Sequence, residues 1–161
     1  NLRILKVNMQ RNFPQAGWDI LPVAVTASTV STTDFYLCKG DYNKYRHTTH
    51  KVRGRRRVTV QNMNIHDAIL AAKPDAIKMD IEGAEIEILE SLTAADYRRY
   101  GIQRMVFEYS FDVDPHIARF MAIIHELRKA YRIVHFTKVK ESEELYTYFP
   151  AATIVYCVGQ I

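Results

Sequence analysis

The chain has 161 residues and a mass of 18.7 kDa, with 48% apolar and 25% charged residues and a formal net charge of +4. This length corresponds to roughly one domain of about 100 to 200 residues, and the composition excludes disordered and fibrous proteins. No apolar run approaches the roughly 18 to 20 residues that cross a bilayer, so we predict that the chain does not span a membrane.

The two cysteines, Cys38 and Cys157, lie far apart in the sequence, each in an apolar, strand-like run. This spacing supports neither a disulfide framework nor a zinc site. It favours a reducing compartment, so we predict an intracellular protein, with the cytoplasm as its compartment.

The positive charge is concentrated in one basic segment, Lys44 to Arg57, which contains two Lys, five Arg and two His and no acid. Clustered Arg and Lys bind phosphate backbones with release of counterions, so the segment is a candidate nucleic-acid contact. A solvated surface loop without a partner explains the same run of charge. Both alternatives stay open.

Helices and strands are predicted to alternate along the first half of the chain. A helix over Asn1 to Asn12, which contains no Gly or Pro, ends before Pro14. A second helix covers Asn64 to Ala72, with Asn64 as its N-cap and Pro74 as its stop. Short strands are predicted between these helices, at Asp19 to Thr26, Thr33 to Cys38 and Arg57 to Gln61.

The second half opens with a short strand, Asp75 to Asp80, that runs directly into a helix, Ile81 to Leu92. A second buried strand is predicted at Ile102 to Phe111, and Asp114-Pro115 then opens a long helix by the N-cap and first-turn proline rule. The inner faces of the two helices are predicted to be Ala84, Ile88, Leu89 and Leu92, and Ile117, Phe120, Met121, Ile124 and Leu127.

Two final strands, Tyr131 to Thr137 and Thr153 to Val158, are predicted to form an antiparallel hairpin at the edge of the sheet. Strands that alternate with helices indicate an α/β fold with a largely parallel sheet. No repeat or linker divides the chain, so we predict a single domain over residues 1–161.

Three carboxylates surround one glycine in the hexapeptide Asp80-Ile81-Glu82-Gly83-Ala84-Glu85. The pattern D-x-E-G-x-E arises by chance in well under about 1% of chains of this length, so the signal is fairly specific. Open α/β sheets bind ligands at the carboxyl ends of their strands, so Asp80 is predicted to face a site. The alternative is that Asp80 and Glu82 cap the helix, each stabilising it by about 0.3 to 1 kcal/mol.

The stretch Val58 to Phe111 resembles the FkbM family of S-adenosylmethionine-dependent methyltransferases. In that family a t-L-D-x-L-L segment precedes K-x-D-x-E-G-x-E and a strand that ends in Glu. The corresponding residues here are Ile65 to Leu70, Lys78 to Glu85 and Phe107-Glu108. The opening helix and Leu21 to Thr26 are similar to the family's asparagine-rich helix and the V-A-V strand that follows it.

The resemblance implies a Rossmann-like class I methyltransferase sheet, with helices on both faces and a C-terminal antiparallel hairpin. It also implies S-adenosylmethionine as cofactor, contacted by Val25 and Asp80, and a hydroxyl of a sugar or another small molecule as acceptor. Asp80, Glu82 and Glu108 are the candidate catalytic residues, since carboxylates can accept the hydroxyl proton, position the acceptor or hold a divalent ion. For Glu108, an ion pair with an arginine across the crevice is the alternative. No metal ligand is assigned.

Two features depart from the family pattern. His66 stands where the family usually has Asp, and the sequence lacks both the G-x-G turn and the acid after a second strand with which class I methyltransferases hold their cofactor. If the opening helix follows the second strand of the sheet, the N-terminal strands are missing and leave a slot in the sheet. We therefore expect roughly 60 or more residues upstream, by the usual size of two strand-helix units.

Two functions follow as hypotheses. The first is methylation of a small-molecule or glycan hydroxyl, which the Asp80 to Glu85 signature and Glu108 favour. The second is a catalytically inactive methyltransferase-like domain that serves as an RNA-binding or structural subunit, with Lys44 to Arg57 as its contact surface. His66 and the absent glycine-rich turn favour the second.

Overall fold

The computed structural model describes residues 2–12, 14–15, 17, 19–37, 56–81, 84–111, 116–141 and 150–161. Within these ranges helices and strands are mixed along the chain, but β1 to β3, α3 and α4, and β6 and β7 follow one another without alternation. The described helices are α1 (Leu2–Asn12), α2 (Ile65–Ala72), α3 (Glu85–Ser91), α4 (Ala94–Tyr100) and α5 (Ile117–Ala130). The described strands are β1 (Ala24–Thr26), β2 (Thr32–Leu37), β3 (Arg56–Asn64), β4 (Ala76–Met79), β5 (Arg104–Ser110), β6 (Tyr131–Glu141) and β7 (Pro150–Gln160).

The strands form two sheets, with the orders β1-β3-β2 and β4-β5-β7-β6. Only the pairs β1 with β3 and β4 with β5 are parallel, and the other three described pairs are antiparallel. The prediction of a largely parallel sheet is therefore wrong. No described helix lies between β2 and β3 or between β6 and β7, and the strands of each pair run in opposite directions. β7 also lies between β5 and β6, antiparallel to both.

The predicted hairpin at the edge of the sheet is confirmed, because β6 and β7 are antiparallel neighbours and β6 is the outer strand. The α/β class is confirmed as well. A Rossmann-like arrangement with helices on both faces stays a prediction.

Helix α2 begins and ends where its sequence signals place it. The N-cap residue Asn64 has extended backbone angles, and its side-chain oxygen accepts the N–H of His66 at 2.9 Å. At the other end Lys73 adopts the left-handed conformation with φ of 47°, and Pro74 follows it. The N-cap hydrogen bond to Asn64 satisfies a helix N–H that otherwise has no partner.

The helix after β4 starts later than predicted, at Glu85 instead of Ile81. Its N-cap residue is Ala84, which makes no side-chain cap hydrogen bond. Ile81 lies in a bend and Ala84 in a turn, so the described chain does not pass directly from the strand into the helix. The predicted apolar face is confirmed, because all four of its residues are buried: Ala84, Ile88, Leu89 and Leu92.

Helix α4 was not predicted, although its start has a clear signal. Thr93 and Asp96 form a capping box, in which the Thr93 hydroxyl accepts the Asp96 N–H and the Asp96 carboxylate accepts the Thr93 N–H. Gly101 ends the helix with a positive φ of 70°, a conformation that glycine adopts at little cost. The helix buries Ala94 and Tyr97.

We expect Asp96→Ala to lower the free energy of unfolding by about 1 kcal/mol at neutral pH, the usual cost of a lost cap. Hydrogen bonds from the side chain and backbone of Thr93 hold the pKa of Asp96 below its ordinary value of 3.8. Since the folded-state pKa is depressed, this stabilisation is complete above the ordinary value and is lost as the pH falls through the folded-state pKa. Urea unfolding at neutral and at acid pH measures the effect; a parent-variant difference that persists unchanged in acid contradicts it.

Helix α5 begins at Ile117 with His116 as its N-cap residue. The predicted opening residues Asp114 and Pro115 precede it and lie outside the described residues. Phe120, Ile124 and Leu127 are buried as predicted, but Ile117 and Met121 are exposed, and Ile123 and Ala130 are buried in their place. Met121 lies about 100° around the helix from Phe120, so it falls outside the packed stripe. None of the described helices is long and apolar enough to cross a membrane.

The core lies on one face of the four-stranded sheet. Along β5, Met105, Phe107 and Tyr109 are buried, whereas the intervening Val106 and Glu108 are only half-buried. Buried residues of α3, α4 and α5 belong to the same cluster. Glu108 therefore points to the opposite face from the core, because side chains alternate along a strand.

Cys157 is a free thiol at the centre of the core. Burial raises its pKa to about 12, so the thiol stays protonated and unreactive at neutral pH. The other cysteine, Cys38, lies outside the described residues.

Candidate active site

Asp80 lies at the carboxyl end of β4, directly after Met79, the last residue of that strand. One carboxylate oxygen is 2.9 Å from the Nζ of Lys78, and the two side chains are 58% and 71% exposed. Asp80 does not cap α3, whose N-cap residue is Ala84. Asp80 therefore does not have the capping role that the sequence analysis considered. Its carboxylate is exposed to solvent beside Lys78.

Glu108 lies opposite Asp80 on the neighbouring strand. The register of β4 and β5 pairs Met79 with Phe107, so the residues that follow them, Asp80 and Glu108, are next to each other across the sheet. Neighbouring strands are about 4.8 Å apart. Extending the register by one residue therefore puts two of the three predicted catalytic residues on neighbouring positions, and the third, Glu82, lies outside the described residues.

Glu85 is a member of the signature to which the sequence analysis assigned no role. Its side chain is only 2% exposed although it carries a carboxyl group. One of its oxygens accepts the backbone N–H of Ile81, the residue after Asp80. The carboxyl group therefore reaches back from the first residue of α3 to the end of β4.

An apolar cavity of about 280 Å³ lies beside the end of β4. Val25 of β1, a predicted cofactor contact, forms part of its wall together with Met79 and Ile81, the two neighbours of Asp80. In the described part of the chain β1 and β4 are not paired with each other, and the cavity lies between them. The remaining wall residues are Ile65, Ala68, Ile69, Ala72, Pro74, Ile77, Lys78 and Ile88.

Asparagine side chains hold the chain segment that follows β1. Asn62 donates through its Nδ2 to the carbonyls of Ser28 and Val30, at 3.0 and 2.8 Å. Asn64 donates in the same way to the carbonyl of Ala27 at 2.8 Å. These bonds fix the exit from β1, and with it the position of Val25 at the cavity wall.

His66, the departure from the family pattern, links two helices. Its Nδ1 lies 2.8 Å from the hydroxyl of Tyr100, and the two rings meet edge to face at 5.9 Å between centroids. The contact joins the start of α2 to the end of α4. The His66 side chain therefore packs α2 against α4.

No three His, Cys, Asp or Glu side chains group closely enough to hold a metal ion among the residues that the structure describes. Of the basic segment Lys44 to Arg57, only Arg56 and Arg57 fall within that part of the chain. Arg56 is exposed, and Arg57 forms an ion pair with Asp34 on the neighbouring strand at 3.4 Å.

The family model of the methyltransferase FkbM domain matches residues 18–133, which is more than half of the chain. The match includes Val25, Asp80 and Glu108, together with the wall of the cavity. No curated protein and no solved structure matches the chain. With a domain match of this extent, the chain belongs to the FkbM methyltransferase family.

Proposed function

We propose that this protein is an S-adenosylmethionine-dependent methyltransferase that O-methylates a hydroxyl of a sugar or another small molecule. The observation that supports the proposal is the register of β4 and β5, which pairs Met79 with Phe107, the residues just before Asp80 and Glu108, in a chain of a methyltransferase family. A hydroxyl oxygen loses its proton when it is methylated, and a nearby carboxylate can accept that proton. The pair therefore suits an acceptor that releases a proton, as a hydroxyl does.

The cavity beside Asp80 fits part of this cofactor. Its apolar wall, which includes Val25, Met79 and Ile81, suits the flat face of an adenine ring, and ligand sites are commonly apolar with a few placed polar groups. Asp80 lies between the wall residues Met79 and Ile81 in the sequence, and its carboxylate suits ribose hydroxyls or a positively charged amino group. When bound, S-adenosylmethionine supplies an electrophilic methyl group on a sulfonium centre. We therefore propose Val25 and Asp80 as cofactor contacts.

The two carboxylates have different surroundings, which support different roles. Asp80 is exposed at the end of β4 and accepts the proton of the acceptor hydroxyl. Glu108 is half-buried on the same face and holds that hydroxyl in line with the methyl group. Glu82 is proposed as a third contact on the basis of the sequence. Methyl transfer to a hydroxyl needs two contributions from the protein: it must align the two reactants, and it must hold a base close to the hydroxyl.

A labelled-methyl assay tests this function. The full-length protein is incubated with methyl-labelled S-adenosylmethionine and a panel of monosaccharides, polyols and phenols, with primary amines as the matched control acceptors. We expect label on an oxygen of at least one hydroxyl acceptor and none on the amines. Label found only on nitrogen contradicts O-methylation, and no transfer to any acceptor contradicts the enzyme.

The rival function, an inactive domain that binds RNA, makes a different prediction for the basic segment. If the seven Lys and Arg of Lys44 to Arg57 contact phosphates, affinity for RNA falls steeply with salt, by about 0.7 to 0.9 in the logarithmic slope for each phosphate neutralised. Fluorescence anisotropy with labelled RNA compares the parent with a variant in which Arg53, Arg55, Arg56 and Arg57 are replaced by Ser. Equal RNA affinities of the parent and the variant would contradict RNA binding by this segment.

A further inference from the structure

The carboxyl group of Glu85 is buried in a position that requires an explanation. At 2% exposure it is among the few buried polar or charged side chains of the described residues. A buried polar group without a hydrogen-bond partner costs about 1 to 3 kcal/mol, so such groups are normally placed by a specific partner. One hydrogen-bond partner of the Glu85 carboxyl group is the backbone N–H of Ile81.

This hydrogen bond acts on the geometry of Asp80. The N–H of Ile81 belongs to the peptide group that joins Asp80 to Ile81, and a peptide group is planar. A hydrogen bond to that N–H therefore fixes the orientation of the whole peptide group and, with it, the ψ angle of Asp80. Together with the pairing of β4 and β5 on the other side of Asp80, the same bond restrains the direction of the Asp80 Cα–Cβ bond.

The contact that the Asp80 carboxylate itself makes, with Lys78, is a weaker restraint than the hydrogen bond between Glu85 and Ile81. Lys78 approaches its carboxylate at 2.9 Å, but both side chains are more than half exposed. Exposed ion pairs contribute only about 0 to 1 kcal/mol and are weakened by salt. The buried hydrogen bond between Glu85 and the Ile81 N–H is therefore the better restraint on the backbone at Asp80.

We infer that Glu85 is a positioning residue, which acts through Asp80 and does not itself touch a substrate. This inference rests on the proposed function, because a precise direction for Asp80 has a catalytic consequence only if Asp80 reacts. A misplacement of about 1 Å at a reacting group can cost on the order of a hundredfold in rate.

Three variants of the full-length protein separate positioning from general stability. Glu85→Ala removes the acceptor, whereas Glu85→Gln keeps a side-chain oxygen that can accept the Ile81 N–H. Glu87→Gln is the matched control, since Glu87 is an exposed acid of the same first helical turn. We expect Glu85→Ala to lower kcat at least tenfold with less than a threefold change in KM, Glu85→Gln to recover most of that loss, and Glu87→Gln to match the parent.

Hydrogen exchange of the Ile81 amide, measured by NMR, provides a readout that does not depend on activity. The amide should exchange at least tenfold faster in Glu85→Ala than in the parent, and slowly again in Glu85→Gln. If Glu85→Ala fails to fold, Glu85→Asp replaces it, because the shorter side chain withdraws the carboxyl group; its kcat should then fall at least fivefold.

The outcomes distinguish this inference from the proposed function. An unchanged exchange rate in Glu85→Ala overturns the inference, and so does faster exchange with an unchanged kcat. A parent that transfers no methyl group overturns the proposed function and the positioning role together, while a parent that is active and insensitive to Glu85 overturns only the positioning role.

Discussion

Replacing Asp80 by Asn should cut turnover at least tenfold, which corresponds to about 1.4 kcal/mol or more of transition-state stabilisation. Asparagine keeps the shape of the side chain but cannot accept the hydroxyl proton. The melting temperature should change by only a few degrees, because Asp80 is exposed and its ion pair with Lys78 contributes little. Steady-state kinetics and a thermal melt on the same preparation measure both quantities.

Asp75→Asn is the matched control for this substitution. Asp75 is an exposed acid just before β4, at the opposite end of the strand from Asp80. The Asp75→Asn variant should have the same turnover as the parent. Unfolding of the Asp80 variant would instead point to a structural role for this carboxylate, and a parental kcat would remove it from the mechanism.

Phe107→Ala should lower the free energy of unfolding by about 3 to 5 kcal/mol, the usual cost of deleting a large aromatic side chain from a core. Phe107 is 0% exposed and lies in β5 between Met79 of β4 and Val155 of β7. It also precedes Glu108, so the same residue supports the candidate active site from the core side. Urea unfolding of the parent and variant measures the difference.

The control for this prediction is Phe136→Ala on the edge strand β6. Phe136 is 44% exposed and packs edge to face on Phe120, with 5.8 Å between ring centroids. Its removal deletes the same atoms but exposes much less buried surface, so the loss should be clearly smaller. Equal losses for the two variants would show that β5 is not the centre of the core.

The elements that the sequence predicted best have strong local signals. The start of α2 follows from the capping chemistry of Asn64, and the apolar stripe from Ala84 to Leu92 follows from helical spacing. The same reasoning should have found α4, because Thr93 and Asp96 have the spacing of a capping box. Its brevity, seven residues, makes its apolar periodicity weak.

Strand direction is the part of the fold that local patterns cannot supply. The alternation of strands and helices is compatible with either direction for β2 and β7, and only pairing between distant segments decides it. The first turn of α3 was misplaced for a related reason. Its boundary depends on a contact between the Glu85 carboxyl group and the Ile81 backbone, which propensities do not register.

The part of the candidate site that lies at the ends of strands could be predicted from the sequence. Asp80 ends the predicted strand Asp75 to Asp80, and Glu108 lies near the end of the predicted strand Ile102 to Phe111, so the two are expected at the same edge once β4 and β5 are neighbours. The sequence contained Lys78 and Glu85 within the family signature but gave no reason to separate their roles. The exposure of Lys78 and the burial of Glu85 distinguish them, and burial depends on the packed structure.

The measurement that tests the central claim most directly is a calorimetric titration of S-adenosylmethionine into the full-length protein, with adenosine triphosphate as the control ligand. The account predicts saturable binding of one cofactor per chain, with a Kd below about 1 mM, equivalent to about 4.1 kcal/mol. Adenosine triphosphate should not bind comparably. No saturable heat at millimolar S-adenosylmethionine would contradict a cofactor-dependent methyltransferase.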